Sequence, residues 1–95
     1  MIKEMIKVGD SFIEAVSIEL DNHNLIVLRG SRGYVMCGYL SMDAADNFGD
    51  VAIKITGIRT IQEALNTEAE EVSREAKNIG IYEGQSINEI LELIV

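Results

Sequence analysis

The sequence has no proline and no tryptophan, a single cysteine, a single histidine, and eight basic side chains against sixteen acidic ones. The missing proline, together with a 47% hydrophobic content, excludes a disordered or low-complexity chain. One cysteine excludes an internal disulfide framework and points to a reducing compartment. The shortage of basic residues leaves a net charge of −8, a field that repels phosphate backbones. Arg29, Arg32, Lys54 and Arg59 are too scattered to form a local basic patch, so no nucleic-acid partner is expected. The acidity is read as a solubility device. No apolar run approaches the roughly 20 residues of a membrane span, and no basic-then-apolar leader opens the chain. A soluble, cytoplasmic protein without a membrane partner is the expectation.

What is present is a large apolar share for a chain of 95 residues. One domain, 1–95, suits this length, and such a chain buries only about 60–65% of its unfolded surface. Surplus apolar surface is most cheaply covered by a second copy, which favours a homo-oligomer.

Residues 2–8 alternate imperfectly and end at the turn residues Gly9-Asp10-Ser11. A second strand over about 12–20 places Phe12, Val16, Ile18 and Leu20 on one face, with Ser17 and Glu19 on the other. The two form a hairpin. Asp21-Asn22-His23-Asn24 is a polar turn, and His23 within it is read as solvated, since no second histidine or nearby cysteine completes a metal set. Neither a metal nor a cofactor is expected.

Leu25–Leu28 and Tyr34–Leu40 are continuous apolar runs, which imply burial on both faces and a central place in the sheet. The connection Arg29-Gly30-Ser31-Arg32-Gly33 suits a hairpin loop. Ser41 caps a short helix over about 42–48, and Gly49 ends it. Val51, Ile53 and Ile55 mark a further strand, its direction open because 41–50 is short for a parallel crossover. Three capping boxes follow, at Thr60–Glu63, Thr67–Glu70 and Ser86–Glu89. They predict helices, the middle one carrying an apolar stripe of Ala69, Val72, Ala76 and Ile79, with Glu70 and Arg74 as an i, i+4 pair. The last places Ile87, Ile90, Leu91 and Ile94 on one face. The fold class is therefore α+β: a mostly antiparallel or mixed sheet of about five strands with C-terminal helices packed on one face. Its parts are a hairpin at 1–20, a central sheet with a short helix at 25–57, and a helical part at 60–95.

Three features can carry chemistry. Cys37 is a candidate nucleophile, but a reactive thiol needs a nearby helix N-terminus, cation or imidazole. Its same-face neighbours Val35 and Tyr39 favour a buried cysteine acting as a small hydrophobe. The helix start at Ser41-Met42-Asp43 offers free N–H groups, yet Ser41 serves as cap and Asp43 repels anions. The glycine loop with Arg29 and Arg32 matches neither the phosphate loop nor the dinucleotide fingerprint, and a strand follows it. Cys37 and Asp43 stand as candidate catalytic residues, and Arg32 and Ser41 as candidate ligand contacts.

The segment Gly33-Tyr34-Val35-Met36-Cys37-Gly38-Tyr39-Leu40, followed by Asp43, resembles the YunC-like family of domains of unknown function. The likeness continues through Gly57–Leu65 and Ile79–Gly84. Members carry an acidic residue where Ser41-Met42 stands here, so no two-carboxylate site is implied. The resemblance implies a protein of bacteria or archaea with no established activity, assembling as a tetramer through an N-terminal β region, here residues 1–20. A homo-oligomeric binding or structural module, tetramer first and dimer second, is the expected function. An enzyme or small-ligand binder with a site around Cys37, at a subunit boundary, is the alternative.

Overall fold

A computed structural model describes residues 1–95. The elements in chain order are β1 (Ile2–Val8), β2 (Ser11–Glu19), β3 (Asn24–Arg29), β4 (Tyr34–Met36), α1 (Met42–Phe48), β5 (Ala52–Lys54), α2 (Ile61–Leu65), β6 (Glu71–Val72), α3 (Arg74–Asn78) and α4 (Ile87–Ile94). They build an α+β fold on one six-stranded mixed sheet, in the order β1-β2-β3-β4-β5-β6. Neighbours are antiparallel except for the parallel pair β4–β5. The apolar runs of β3 and β4 do fall at the centre of the sheet.

Four local expectations change. First, the inward face of β2 is the opposite of the one read from the sequence: Ile13, Ala15 and Ser17 are buried, while Phe12, Ile18 and Leu20 are exposed. Both stripes of this strand are apolar, so alternation alone does not choose between them. The smaller side chains face inward where α2 approaches β2. Second, β4 ends at Met36 rather than near Leu40, and the chain leaves the sheet in a turn in which the Leu40 N–H bonds the Cys37 carbonyl at 3.2 Å. The connection to β5 therefore runs from Cys37 to Val51, which meets the dozen or so residues that a parallel crossover needs.

Third, the middle helix does not begin at Thr67. Glu68 bridges to Ser86, and Glu71–Val72 adds β6 to the edge of the sheet against β5. α3 starts only at Arg74, capped by Ser73, whose Oγ accepts the Ala76 N–H. Ile79 lies beyond its end and is exposed. Fourth, Glu70 and Arg74 do not pair: Thr56 donates its hydroxyl proton to Glu70, and the Arg74 backbone N–H and guanidinium both bond Asp46. The other two segments keep the N-cap half of the box, without the return bond from the glutamate to the cap N–H; Glu63 Oε1 accepts from the Arg59 N–H instead. Thr60 Oγ1 accepts from the Glu63 N–H at 3.0 Å, and Ser86 Oγ from the Glu89 N–H at 3.3 Å.

The pleat divides the apolar residues into two clusters. The larger gathers Val35 and Ile53 of the central strands with Ile61, Ala64, Ala76 and the four inward residues of α4. The smaller joins Met36 and Ala52 to Ala45 of α1. Because successive strand residues point to opposite faces, α1 covers the face opposite the main core, and only over β4 and β5.

Tyr34 and Asp50 close the β4–β5 end of this arrangement, the phenol donating to Asp50 Oδ2 at 2.7 Å. Burial, then the hydrogen bond and the negative charge of Asp50, push the Tyr34 hydroxyl from 10.0 up to about 12. The folded value lies above the unfolded one. This contribution to stability is therefore complete below pH 10 and is lost as pH rises through about 12. An ultraviolet absorbance titration is expected to show one phenol ionising near 12 that Tyr34→Phe removes.

Candidate functional site

Where β4 and β5 end, the chain opens a cleft of about 300 Å³. Cys37 sits at its base, pinned by two backbone contacts to β3: its N–H donates to the Ile26 carbonyl at 3.2 Å, and the Ile26 N–H reaches its sulfur at 3.5 Å. The residue is only 5% exposed. This single-residue continuation of the β3–β4 ladder also sets the cleft walls. Opposite Cys37, β3 runs back into the turn that carries His23 and Asn24, and both line the cleft. The turn is tied to the segment beyond β5 by Asn24 Nδ2, which donates to the Arg59 carbonyl at 2.7 Å.

On the far side the wall is Gly38, Tyr39, Gly57 and Ile58. The His23 and Tyr39 rings meet edge to face with centroids 6.4 Å apart. The cleft thus combines a thiol, an imidazole, a phenol and unadorned backbone, and no third histidine, cysteine or carboxylate joins His23 and Cys37 into a metal-holding group. It lies beyond the carboxyl ends of the two adjacent parallel strands.

The remaining candidates lie apart from it. Ser41 spends its hydroxyl on the Ala44 N–H at 3.1 Å, and Asp43 is exposed in the first turn of α1. Arg32 stands at the opposite end of β4, roughly 16 Å from Cys37 at a strand's rise per residue. Its loop is occupied by α4: the Arg32 N–H bonds the Ile94 carbonyl at 2.9 Å, and Ser31 Oγ bonds the Val95 carbonyl at 2.7 Å. These contacts satisfy carbonyls that a helix C-terminus otherwise leaves without partners. The glycine loop clamps α4 and spends the Arg32 N–H and the Ser31 hydroxyl in doing so.

Sequence reasoning set His23 aside because no cysteine stands near it in the chain, and it passed over Asn24 and the exposed ring of Tyr39. The signal was the register. Once the glycine loop pairs Arg29 with Tyr34 and Val27 with Met36, Ile26 falls opposite Cys37 and the 21–24 turn must lie beside it.

Three comparisons place the chain among known proteins. The family model described as Domain of unknown function (DUF1805) matches residues 36–94. The uncharacterized protein YunC of Bacillus subtilis is 33% identical, over 81% of this chain and 80% of its own. The crystal structure of a protein of unknown function, TA1206 from Thermoplasma acidophilum, superposes with a TM-score of 0.94 at 30% identity, covering 98% of this chain and 91% of that one.

Proposed function

The chain belongs to the family described as Domain of unknown function (DUF1805), and we propose that it works as a cytoplasmic homo-oligomeric binding module, built by covering the outer face of β1–β3 with further copies of itself. The observation that carries this reading is the uncovered half of the outer sheet face. α1 shields β4 and β5, but nothing lies over Met5 (58% exposed), Phe12 (53%), Ile18 (37%) and Leu20 (43%), with the half-buried Val16 and Val27 between them. Exposed apolar side chains on one sheet face, here on either side of the Glu14 ion cluster, mark an interaction surface.

The same face carries both signs of charge. Glu14 bonds Lys3 at 2.9 Å and Arg29 at 3.2 Å, and the hydrogen bond from Lys3 leads the effects that hold the Glu14 carboxyl below its ordinary range. A patch that holds its own cations and anion can meet a copy of itself across a two-fold axis without like charges opposed. Two such axes give a tetramer, the first expectation, and one gives a dimer.

Native mass spectrometry at micromolar concentration is expected to show the tetramer or the dimer, and monomer alone would overturn the reading. Phe12→Asp should weaken the assembly. Losing burial of one phenylalanine costs about 1.5–3 kcal/mol per copy, so a two-fold contact weakens by about a hundredfold or more.

A second reading is favoured by one placement: Cys37 shares its cleft with His23 and Tyr39, and Tyr39 also flanks Leu20 of the outer face. This supports an enzyme or small-ligand binder with its site near a subunit boundary. It requires a thiol that iodoacetamide alkylates in the folded protein near neutral pH. A thiol inert until unfolding would remove a catalytic Cys37.

A further inference from the structure

We infer that the cleft at the ends of β4 and β5 is a binding site for a small planar molecule bearing an acceptor oxygen, a ring carrying a carboxylate or a carbonyl, seated over Gly38 and against Tyr39. The inference deepens the second reading and rests on it.

Gly38 is its starting point. The chain has eight glycines, of which five take a positive φ that disfavours any other residue. Gly30 and Gly33 are crowded, with backbone atoms 2.1 and 2.7 Å from where a Cβ would stand. Gly38 alone has neither reason. Its φ is not positive, and an added Cβ would meet only Thr56 Cγ2, at an ordinary 3.5 Å. Folding therefore does not call for glycine here, yet Gly38 forms part of the cleft wall. A residue without a side chain at such a place lets a ligand come against the backbone.

The backbone it exposes has donors to spare. The amide N–H groups of Gly38 and Tyr39, central in the Cys37–Leu40 turn, and of Gly57 and Ile58 beyond β5 make no hydrogen bond within the chain, so four of the lining residues keep an unpaired donor. Donors of this kind suit an acceptor oxygen, anionic or neutral. The body of the ligand is set by the other walls. Tyr39 presents a ring that is 49% exposed, with Ile58 half-buried near it, and a flat apolar ring covers both. Size narrows the class further. About 300 Å³ is at the lower end of ligand sites and holds one ring rather than a dinucleotide.

Benzoate and benzamide are suitable probes for the anionic and the neutral acceptor, with cyclohexanecarboxylate as the non-planar control. On titration into the assembled protein at millimolar concentration, benzoate, benzamide or both should shift the amide resonances of Gly38, Tyr39, Gly57 and Ile58 more than the control does. Gly38→Val should weaken that binding by about tenfold while the oligomer mass and melting temperature stay unchanged. Tyr39→Ala, at an exposed position, should do the same and serves if the valine variant fails to fold. Absence of these shifts with both planar probes, or equal affinity in the folded variants, overturns the proposal. If Cys37 is then still alkylated in the folded protein and the planar probes leave its rate unchanged, the ligand class has failed while the site reading stands. An inert thiol in addition would end both.

Discussion

Ser73→Ala is expected to lower the stability of the fold by about 3 kcal/mol, a large part of the roughly 5–14 kcal/mol available to a domain of this size. The Ser73 hydroxyl is fully buried and makes three contacts at once. It donates to the Asp50 carbonyl at 2.7 Å, and it accepts the Ala52 N–H at 3.0 Å and the Ala76 N–H at 3.2 Å. One of these is the cap of α3, worth about 1 kcal/mol. The others fasten the start of β5 to the segment leaving β6, next to the Ser73 N–H bond to the Ala52 carbonyl at 2.9 Å. Alanine leaves the Ala52 N–H buried without an acceptor, at a cost of about 1–3 kcal/mol. Ser86→Ala provides the comparison, because it removes an exposed cap alone and should cost about 1 kcal/mol. Urea melts at one fixed protein concentration test the difference. Equal losses for the two variants would show that Ser73 is only a cap.

Gly30→Ala is the second large effect, expected at about 3 kcal/mol or more. A Cβ at this position would lie 2.1 Å from the Ile94 carbonyl oxygen and 2.6 Å from its carbon, with Ile13 Cδ1 at 2.9 Å. The first two are backbone atoms at the end of α4, held by the Arg32 N–H on the Ile94 carbonyl and, one residue on, by Ser31 Oγ on the Val95 carbonyl, and they cannot move away without straining those bonds. Relief of the clash therefore loosens the clamp. Gly38→Ala is the matched control: its methyl has room, so the change should be within about 0.5 kcal/mol of neutral or slightly stabilising. Thermal melts of the two variants should differ by about 10 °C or more for a chain of this length. Similar melting temperatures would mean that α4 yields freely at its end.

Much of the fold was legible in local chemistry. The β1–β2 hairpin, the Ser41 cap with Gly49 as stop, the Thr60 cap and the inward face of α4 all follow from residues within a few positions of one another. What was not legible depended on partners distant in sequence. The box at Thr67–Glu70 carries a helix signal, but pairing of Glu71–Val72 with β5 and the bond from Thr56 to Glu70 override it. The face of β2 could not be read because both of its stripes are apolar, one turned to the core and the other to the uncovered surface. The cleft shows the same limit. Cys37 stood out as the single thiol, whereas His23 joins it only through the register that the Arg29–Gly33 loop imposes on β3 and β4.

The sheet order has a kinetic consequence. Each strand lies beside its neighbour in the chain, so most pairing closes over short loops and the sheet can grow in the order of synthesis. The clamp of the Gly30–Arg32 loop on α4 is a long-range closure, joining residues 64 apart. Loop-closure entropy disfavours forming that contact before the strands have paired. Gly30→Ala should accordingly accelerate unfolding and leave the refolding rate almost unchanged, so the last turn of α4 acts as the latch that sets how long the native state lasts.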